Sequence, residues 1–244
     1  MAQPKAAAAK IDKSKTILTG NAEMDKKLSD GLPVCSFTII EGANGTGKSI
    51  IADQLLWGGL KGGYSFAVYT TEKSVKTLLA DMESLNMDIS DYYAWGYLRV
   101  FNIDVGNVRL NSKITKNFMQ QLVEHIKSLK EDVIIIDSFT VFTISSSQDD
   151  IFNFFTECKS LCDSGKTILV TLHTYAFDED TINRIRSIAD GLIKLRIEQV
   201  GDKNVNMMEV AKIRGAKKIS GNVVSFEVHT GAGLKVVPYA SIQV

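Results

Sequence analysis

The residue types best suited to chemistry fall in one octapeptide, GANGTGKS, Gly42 to Ser49. It fits the phosphate-loop pattern G-x-x-x-x-G-K-[ST]. Gly42, Gly45 and Gly47 let the backbone curl without side-chain obstruction. The N–H groups from Gly42 through Ala43, Asn44, Thr46 and on to Ile50 can then converge on an anion at a helix N-terminus, where the dipole favours negative charge. Lys48 would reach the terminal phosphates of a nucleotide, and Ser49 would offer its hydroxyl to Mg2+. The competing reading is a glycine-rich turn with a surface lysine. A nucleotide site also needs a carboxylate for the metal, and DVIIIDS supplies Asp137 at the end of an apolar run. A charge there is costly without a partner, and a hydrated Mg2+ is one. A plain turn-capping aspartate is the alternative.

These residues need a frame. Short apolar runs read as strands at residues 36–40, 64–70, 98–103, 132–137 and 167–172. Between them, apolar residues recur at helical spacing. Val75, Leu78, Leu79, Met82 and Leu85 form one face, with Ser74 as its N-cap. Phe118, Leu122, Ile126 and Leu129 form a second. Ile151, Phe154, Phe155, Cys158 and Leu161 form a third, stopped near Gly165. Alternating strands and helices predict a mostly parallel sheet flanked by helices on both faces. The run in DVIIID predicts a central strand buried on both sides. After residue 190, four strand-like stretches with short polar turns predict an antiparallel extension on one side of the sheet.

Composition is that of an ordinary globular chain, with 45% hydrophobic and 23% charged residues among 244. The 28 basic and 28 acidic side chains cancel, so no overall basic field recruits nucleic acid or anionic lipid. No apolar run approaches the roughly 18–20 residues of a membrane span. The start, MAQPKAAAAKIDKSK, lacks the apolar core of a secretory signal. It reads as a flexible tail over residues 1–16, able to turn helical against a partner, ahead of one domain over residues 17–244. Cys35, Cys158 and Cys162 have no further ligand pair near them and read as small buried hydrophobes of a reducing compartment.

The segment TGNAEMDKKLSDGLPVCSFTIIEGANGTGKS resembles the start of RecA-like ATPases of the KaiC and RadA type. In that family T-G-x-x-x-[LM]-D leads through a Gly-Pro turn to the phosphate loop. ADGLIKLRI and AKIRGAKK also match the KaiC-like pattern. Within the group, IEGANGTGKS and YTTEKS are most similar to the archaellum accessory ATP-binding family, FlaH or ArlH. The resemblance implies ATP and Mg2+ as cofactors and a single RecA-like domain with a C-terminal β extension. It places residues 167–172 between the phosphate-loop strand and DVIIID. Thr171, His173 and Thr174 would then face the terminal phosphate, as sensors of its loss. For His173, a satisfied strand-end histidine is an equal reading.

Hydrolysis requires a group that activates water. Ser138 stands where many such ATPases carry Glu after the metal-binding Asp. RecA-like proteins use an acid ending the neighbouring strand, which here leaves Glu72. KaiC-type sites carry two acids at that point, and this chain has Thr71 and Glu72. Glu72 is therefore either the catalytic base or a cap of the helix opened by Ser74. In KaiC-like rings a K-x-R pair from the next subunit supplies positive charge, and Lys212 and Arg214 match it. A solvated basic hairpin is the other reading. The expected function is ATP-dependent switching of oligomerisation or docking, with slow or no hydrolysis in isolation. The implied partners are the archaellum motor ATPase FlaI, scaffold proteins at the membrane base, and further copies in a homo-oligomer up to a hexameric ring. The implied location is cytoplasmic and peripheral to the membrane. Alternatives are an active KaiC-like ATPase or an autokinase using Ser138 or Thr140. A DNA recombinase fits poorly. The loops where recombinases are basic read TISSSQDD and TYAFDEDTIN, which would repel a phosphate backbone, so no nucleic-acid partner is expected.

Overall fold

The computed structural model describes residues 16–104, 112–143, 145–200, 203–215, 223–231 and 233–237. The chain runs β1 (Thr16–Ile17), α1 (Ala22–Lys27), β2 (Leu32–Pro33), β3 (Phe37–Gly42), α2 (Lys48–Lys61), β4 (Phe66–Thr70), α3 (Val75–Ser84), α4 (Ser90–Ala94) and β5 (Leu98–Asn102). It continues through α5 (Ser112–Ser128), β6 (Val133–Asp137), α6 (Gln148–Asp163), β7 (Thr167–His173), α7 (Glu179–Ile188), β8 (Gly191–Val200), β9 (Lys203–Ile213), β10 (Val223–His229) and β11 (Gly233–Val237). Apart from Thr16, the tail segment lies outside the described residues.

Among the described residues the main sheet has nine strands in the order β11-β10-β9-β8-β3-β7-β6-β4-β5. Strands β5, β4, β6, β7, β3 and β8 are parallel, and β8 to β11 pair antiparallel. The expected α/β RecA-like architecture with a C-terminal antiparallel extension is the one observed, and β7 lies between β3 and β6. One detail differs from the sequence reading. β8, the first strand of the extension, pairs parallel with β3 on its other side, so it belongs to the core sheet as well.

The central strands serve two cores. In β6, Val133 and Ile135 join a cluster with α2 and α3, while Ile134 and Ile136 join one with α5, α6 and α7. This is the period of two expected of a pleated strand covered on both faces. Cys158 and Cys162 are buried in the second core. A stack of phenylalanines sits under the turn after β6: Phe139 lies 4.3 Å from Phe154 and 5.0 Å from Phe155, ring centre to ring centre. Packing of this kind adds about 0.5–1.5 kcal/mol per ring pair beyond area burial, and it fixes the residues that follow Asp137.

Ser74 caps α3 by accepting from the Thr77 N–H. The helices α1, α4 and α7 went unread in the sequence. α7 hides in an acid-rich stretch, yet its signals were present: Asp178 accepts from Thr181 N–H as N-cap, and Ile182 and Ile185 are buried three apart.

Helix α2 approaches the segment after β1 so closely that only glycine fits at its turn of contact. A Cβ on Gly58 would lie 2.2 Å from the Leu18 carbonyl oxygen and 2.3 Å from the Thr19 carbonyl carbon. In an open helix Gly→Ala stabilises by about 1 kcal/mol. Gly58→Ala is expected instead to destabilise by about 2–3 kcal/mol through overpacking, read as a lower urea midpoint at constant slope. An equal or higher midpoint would show that α2 does not pack against Leu18 and Thr19.

Candidate nucleotide site

The phosphate loop leaves β3 at Gly42 and enters α2 at Lys48. Gly42 is wedged against its neighbours, since a Cβ there would meet the Leu195 carbonyl oxygen at 2.5 Å and Thr46 Oγ1 at 2.7 Å. Gly47 holds the N-cap position of α2 at φ 90°, a left-handed conformation, and no side chain caps the helix. The first N–H groups of α2 therefore remain available for an external anion. Thr46 Oγ1 donates to Ala43 O at 2.9 Å, closing the loop on itself. Asn44 and Gly45 lie exposed at its crest, and Ile50 follows Ser49 in the first turn of α2.

Lys48 is buried at 6% exposure, with its ammonium donating to Ala43 O at 2.7 Å. Burial pulls its pKa below the usual lysine value, while Asp137 and Glu72 pull the other way. This desolvated cation gives up only a neutral carbonyl when a phosphate oxygen takes its place.

Asp137 ends β6 at 6% exposure. Its Oδ1 accepts from Ser49 at 3.2 Å and from Thr171 at 2.6 Å. The two expected metal-binding residues, Ser49 and Asp137, are thus in contact. One carboxylate and one hydroxyl form a hard-oxygen set that suits Mg2+, which keeps several waters and takes further oxygens from phosphates. Ser49 and Asp137 would hold the ion, and Mg2+ would supply charge neutralisation between phosphate oxygens.

Glu72 lies in the turn between β4 and α3. Its carboxylate has no hydrogen-bond partner among the described residues, and the side-chain cap of α3 is Ser74. Burial raises its pKa, the charge of Asp137 raises it further, and Lys48 and Lys73 oppose both. Glu72 therefore feels the same charges as the phosphate loop. Thr171 is fully buried and spent on Asp137. His173 pairs in register with Gly42, its main-chain N–H donates to Thr140 Oγ1 at 2.9 Å, and its Nδ1 lies 3.2 Å from the same oxygen. Burial and then Lys48 lower the His173 pKa against the pull of Asp137. Thr174 follows at the start of a short 3-10 turn. Lys48, Ser49, Glu72, Asp137, Thr171 and His173 are thus brought together.

Lys212 and Arg214 are not. Ile213 pairs with Gly191, and Gly191 pairs with Thr38, which puts them at the opposite end of β3 from the loop. The Lys212 ammonium donates to Ala189 O and to Arg186 O and Ser187 O, capping the C-terminal carbonyls of α7. Arg214 is 57% exposed in its side chain and lies 3.5 Å from Asp190 Oδ1. Lys217 and Lys218, close behind, lie outside the described residues.

The sequence reading missed one ion pair at the loop. Glu41, the residue before Gly42, is 2% exposed and receives Arg186 of α7 bidentately, at 2.9 and 2.7 Å. An acid closing the apolar run SFTII was the available signal.

The family model for "ATPase: KaiC" matches residues 17–241, and the chain belongs to this family. It is 34% identical over 223 residues to the archaeal flagellar ATP-binding protein FlaH of Sulfolobus acidocaldarius, covering 91% of this chain and 96% of that one. It is 27% identical to the FlaH of Methanocaldococcus jannaschii, over 88% and 91% of the two chains. The crystal structure of the flagellar accessory protein FlaH from that organism superposes with a TM-score of 0.80 at 25% identity, covering 91% of this chain and 98% of the other.

Replacing Lys48 by Ala removes the only described cation that bonds the phosphate loop. Loss of a charge-assisted contact of about 2–3 kcal/mol is about 30- to 160-fold in Kd. Titration calorimetry with Mg-ATP is expected to show a loss of that order, and unchanged affinity would remove the phosphate-loop reading.

Proposed function

We propose that this KaiC-like family member is an ATP-binding regulatory component of an archaellum machinery, whose assembly or docking state follows its nucleotide. The supporting observation is an imbalance within the site. The groups for binding, namely the uncapped helix start, Lys48, Ser49 and Asp137, meet in one chain. The groups for cleavage are reduced to Glu72, and the basic pair Lys212 and Arg214 lies away from that chain's own loop. The exposed member of that pair, Arg214, is proposed to act on a nucleotide held by a neighbouring copy, with Lys212 bracing its strand, which makes a homo-oligomer, up to a hexameric ring, part of the proposal. The archaellum motor ATPase FlaI and scaffold proteins at the membrane base are the proposed partners, by likeness to the FlaH relatives. The cytoplasmic side of the membrane base is the proposed location. No helix among the described residues is long and apolar enough to cross a membrane.

The electrostatic environment of Glu72 supports slow ATP hydrolysis as a second reading, with Glu72 as base. A DNA-binding role gains no support. Asp149, Asp150, Glu179 and Asp180 occupy the first turns of α6 and α7, where acids complement helix dipoles and repel a phosphate backbone.

Hydrolysis by the isolated protein is expected to be slower than about 1 s⁻¹, the lower end of ordinary enzyme rates. A phosphate-release assay at or above that rate would favour an active ATPase. Assembly should depend on ATP and on Arg214, and the structure separates the two basic residues. Lys212→Ala removes a helix C-cap and should cost about 1 kcal/mol of stability. Arg214→Ala touches one exposed ion pair and should cost under about 1 kcal/mol. Light scattering with ATP and with ADP should show an ATP-favoured assembly that Arg214→Ala weakens without loss of fold. Identical assembly in all samples, together with nucleotide-indifferent partner pull-down, would end the switch reading.

A further inference from the structure

Helix α2 carries one acid, Asp53, on the face that holds Ser49. Asp53 follows Ser49 by one helical turn, a spacing that stacks side chains on one side. It is buried at 6% exposure. Its Oδ2 accepts from Lys73 Nζ at 3.2 Å, and Lys73 also meets Asp81 Oδ2 at 3.2 Å. Lys73 is the residue directly after Glu72.

The turn that carries Glu72 is pinned at several atoms. Thr70 Oγ1 accepts from the main-chain N–H groups of Glu72 and Lys73, at 3.3 and 3.1 Å. Asn102 of β5 donates to Lys73 O at 2.6 Å. Thr71 N–H donates to Asp137 O at 3.1 Å. All these anchors hold the turn to the sheet. The Asp53–Lys73 pair is different, since it ties the turn to the helix that presents Lys48 and Ser49. Glu72 has no hydrogen-bonded tether on its own carboxylate among the described residues, so its placement beside the phosphate loop rests on its backbone. Its register with α2 is set through the neighbouring lysine.

From this arrangement we infer that Asp53 and Lys73 are a positioning pair that holds Glu72 at a fixed distance from the phosphate loop. This rests on the reading of Glu72 as the base of a slow hydrolysis. Asp53 is ill placed for a purely stabilising role. Burial pushes its pKa up to about 6, Lys73 draws it down without compensating, and Asp137 raises it further. The Lys73 pKa is pulled down by burial, but Asp53 and Asp81 outweigh that and raise it. The structure thus keeps a costly carboxylate next to a site whose geometry it controls, a pattern found at functional positions.

The test compares wild type with Asp53→Asn, Lys73→Met, Glu72→Gln and Asp53→Asn/Glu72→Gln. Mg-ATP affinity is measured by calorimetry, and single-turnover conversion of labelled ATP with protein in excess. Asp53→Asn and Lys73→Met should keep Kd within about threefold, since they leave the binding groups intact. Both should slow conversion by about 10- to 100-fold, as misplacement of a reacting group does. The double variant should be no slower than Glu72→Gln alone. A merely structural pair would lower affinity and rate together, and that result would overturn the inference. So would an Asp53→Asn protein that converts ATP at the wild-type rate while Glu72→Gln does not, although the base reading would then stand. If wild type fails to convert ATP, or Glu72→Gln is as fast as wild type, the base reading itself falls and takes this inference with it. Should Asp53→Asn fail to fold, Lys73→Met breaks the same pair from its less buried end and decides the question.

Discussion

A buried carboxylate, Asp137, is the junction on which the site depends. It ends β6, accepts from Ser49 at the start of α2, and accepts from Thr171 near the end of β7. A lone charge at that depth would be prohibitively costly, whereas one held by two hydroxyls and placed to meet a cation is tolerable. The three elements share one oxygen with β7 lying between β3 and β6. The sheet order thus brings β7 and the helix that follows β3 to the end of β6. A hydroxyl at Ser49 also explains the choice made at the last position of the loop motif. It is short enough to bridge to Asp137, and its oxygen is of the hard type that Mg2+ would take.

The junction is rigid because of what surrounds it. The alternating isoleucines of β6 anchor it in both cores. The phenylalanine stack beneath Phe139 blocks the turn from sinking. On the other side, Glu41 and Arg186 lock the base of the phosphate loop to α7. Loss of either support would leave the motif intact as a string of residues and loose as a cradle, since a site held within fractions of an ångström needs packed neighbours.

Much of this was legible in the sequence. The glycines of the loop, the apolar run ending in Asp137 and the period-two and period-3.6 patterns are local signals, and local signals specify local structure. The contact of Ser49 with Asp137 was inferable because metal chemistry demands both. Other features were hidden because they join distant segments of unremarkable composition. Asp53 reads as an ordinary polar position in IIADQLL, and only the fold sets it against Lys73. Glu41 reads as the end of a strand until α7 delivers Arg186. Helix α7 itself was obscured by its charges, with only Ile182 and Ile185 marking a buried stripe. Lys212 looked like a free cation in AKIRGAKK, but its carbonyl partners are more than twenty residues away in the chain.

Helix α7 joins the phosphate loop to the basic pair. Its Arg186 side chain grips Glu41 at the root of the phosphate loop, and its last carbonyls hold Lys212 at the far end of the sheet. Asp190, just after α7, accepts from Phe37 N–H at the start of β3 and pairs with Arg214. One short segment therefore touches both ends of the strand that leads into the loop, and both members of the basic pair. Packed elements move as units rather than bending continuously. The position of the basic pair is consequently tied to the same helix that braces the nucleotide loop. The fold thus links the root of the phosphate loop, through Glu41, Arg186 and Asp190, to the surface that carries Arg214.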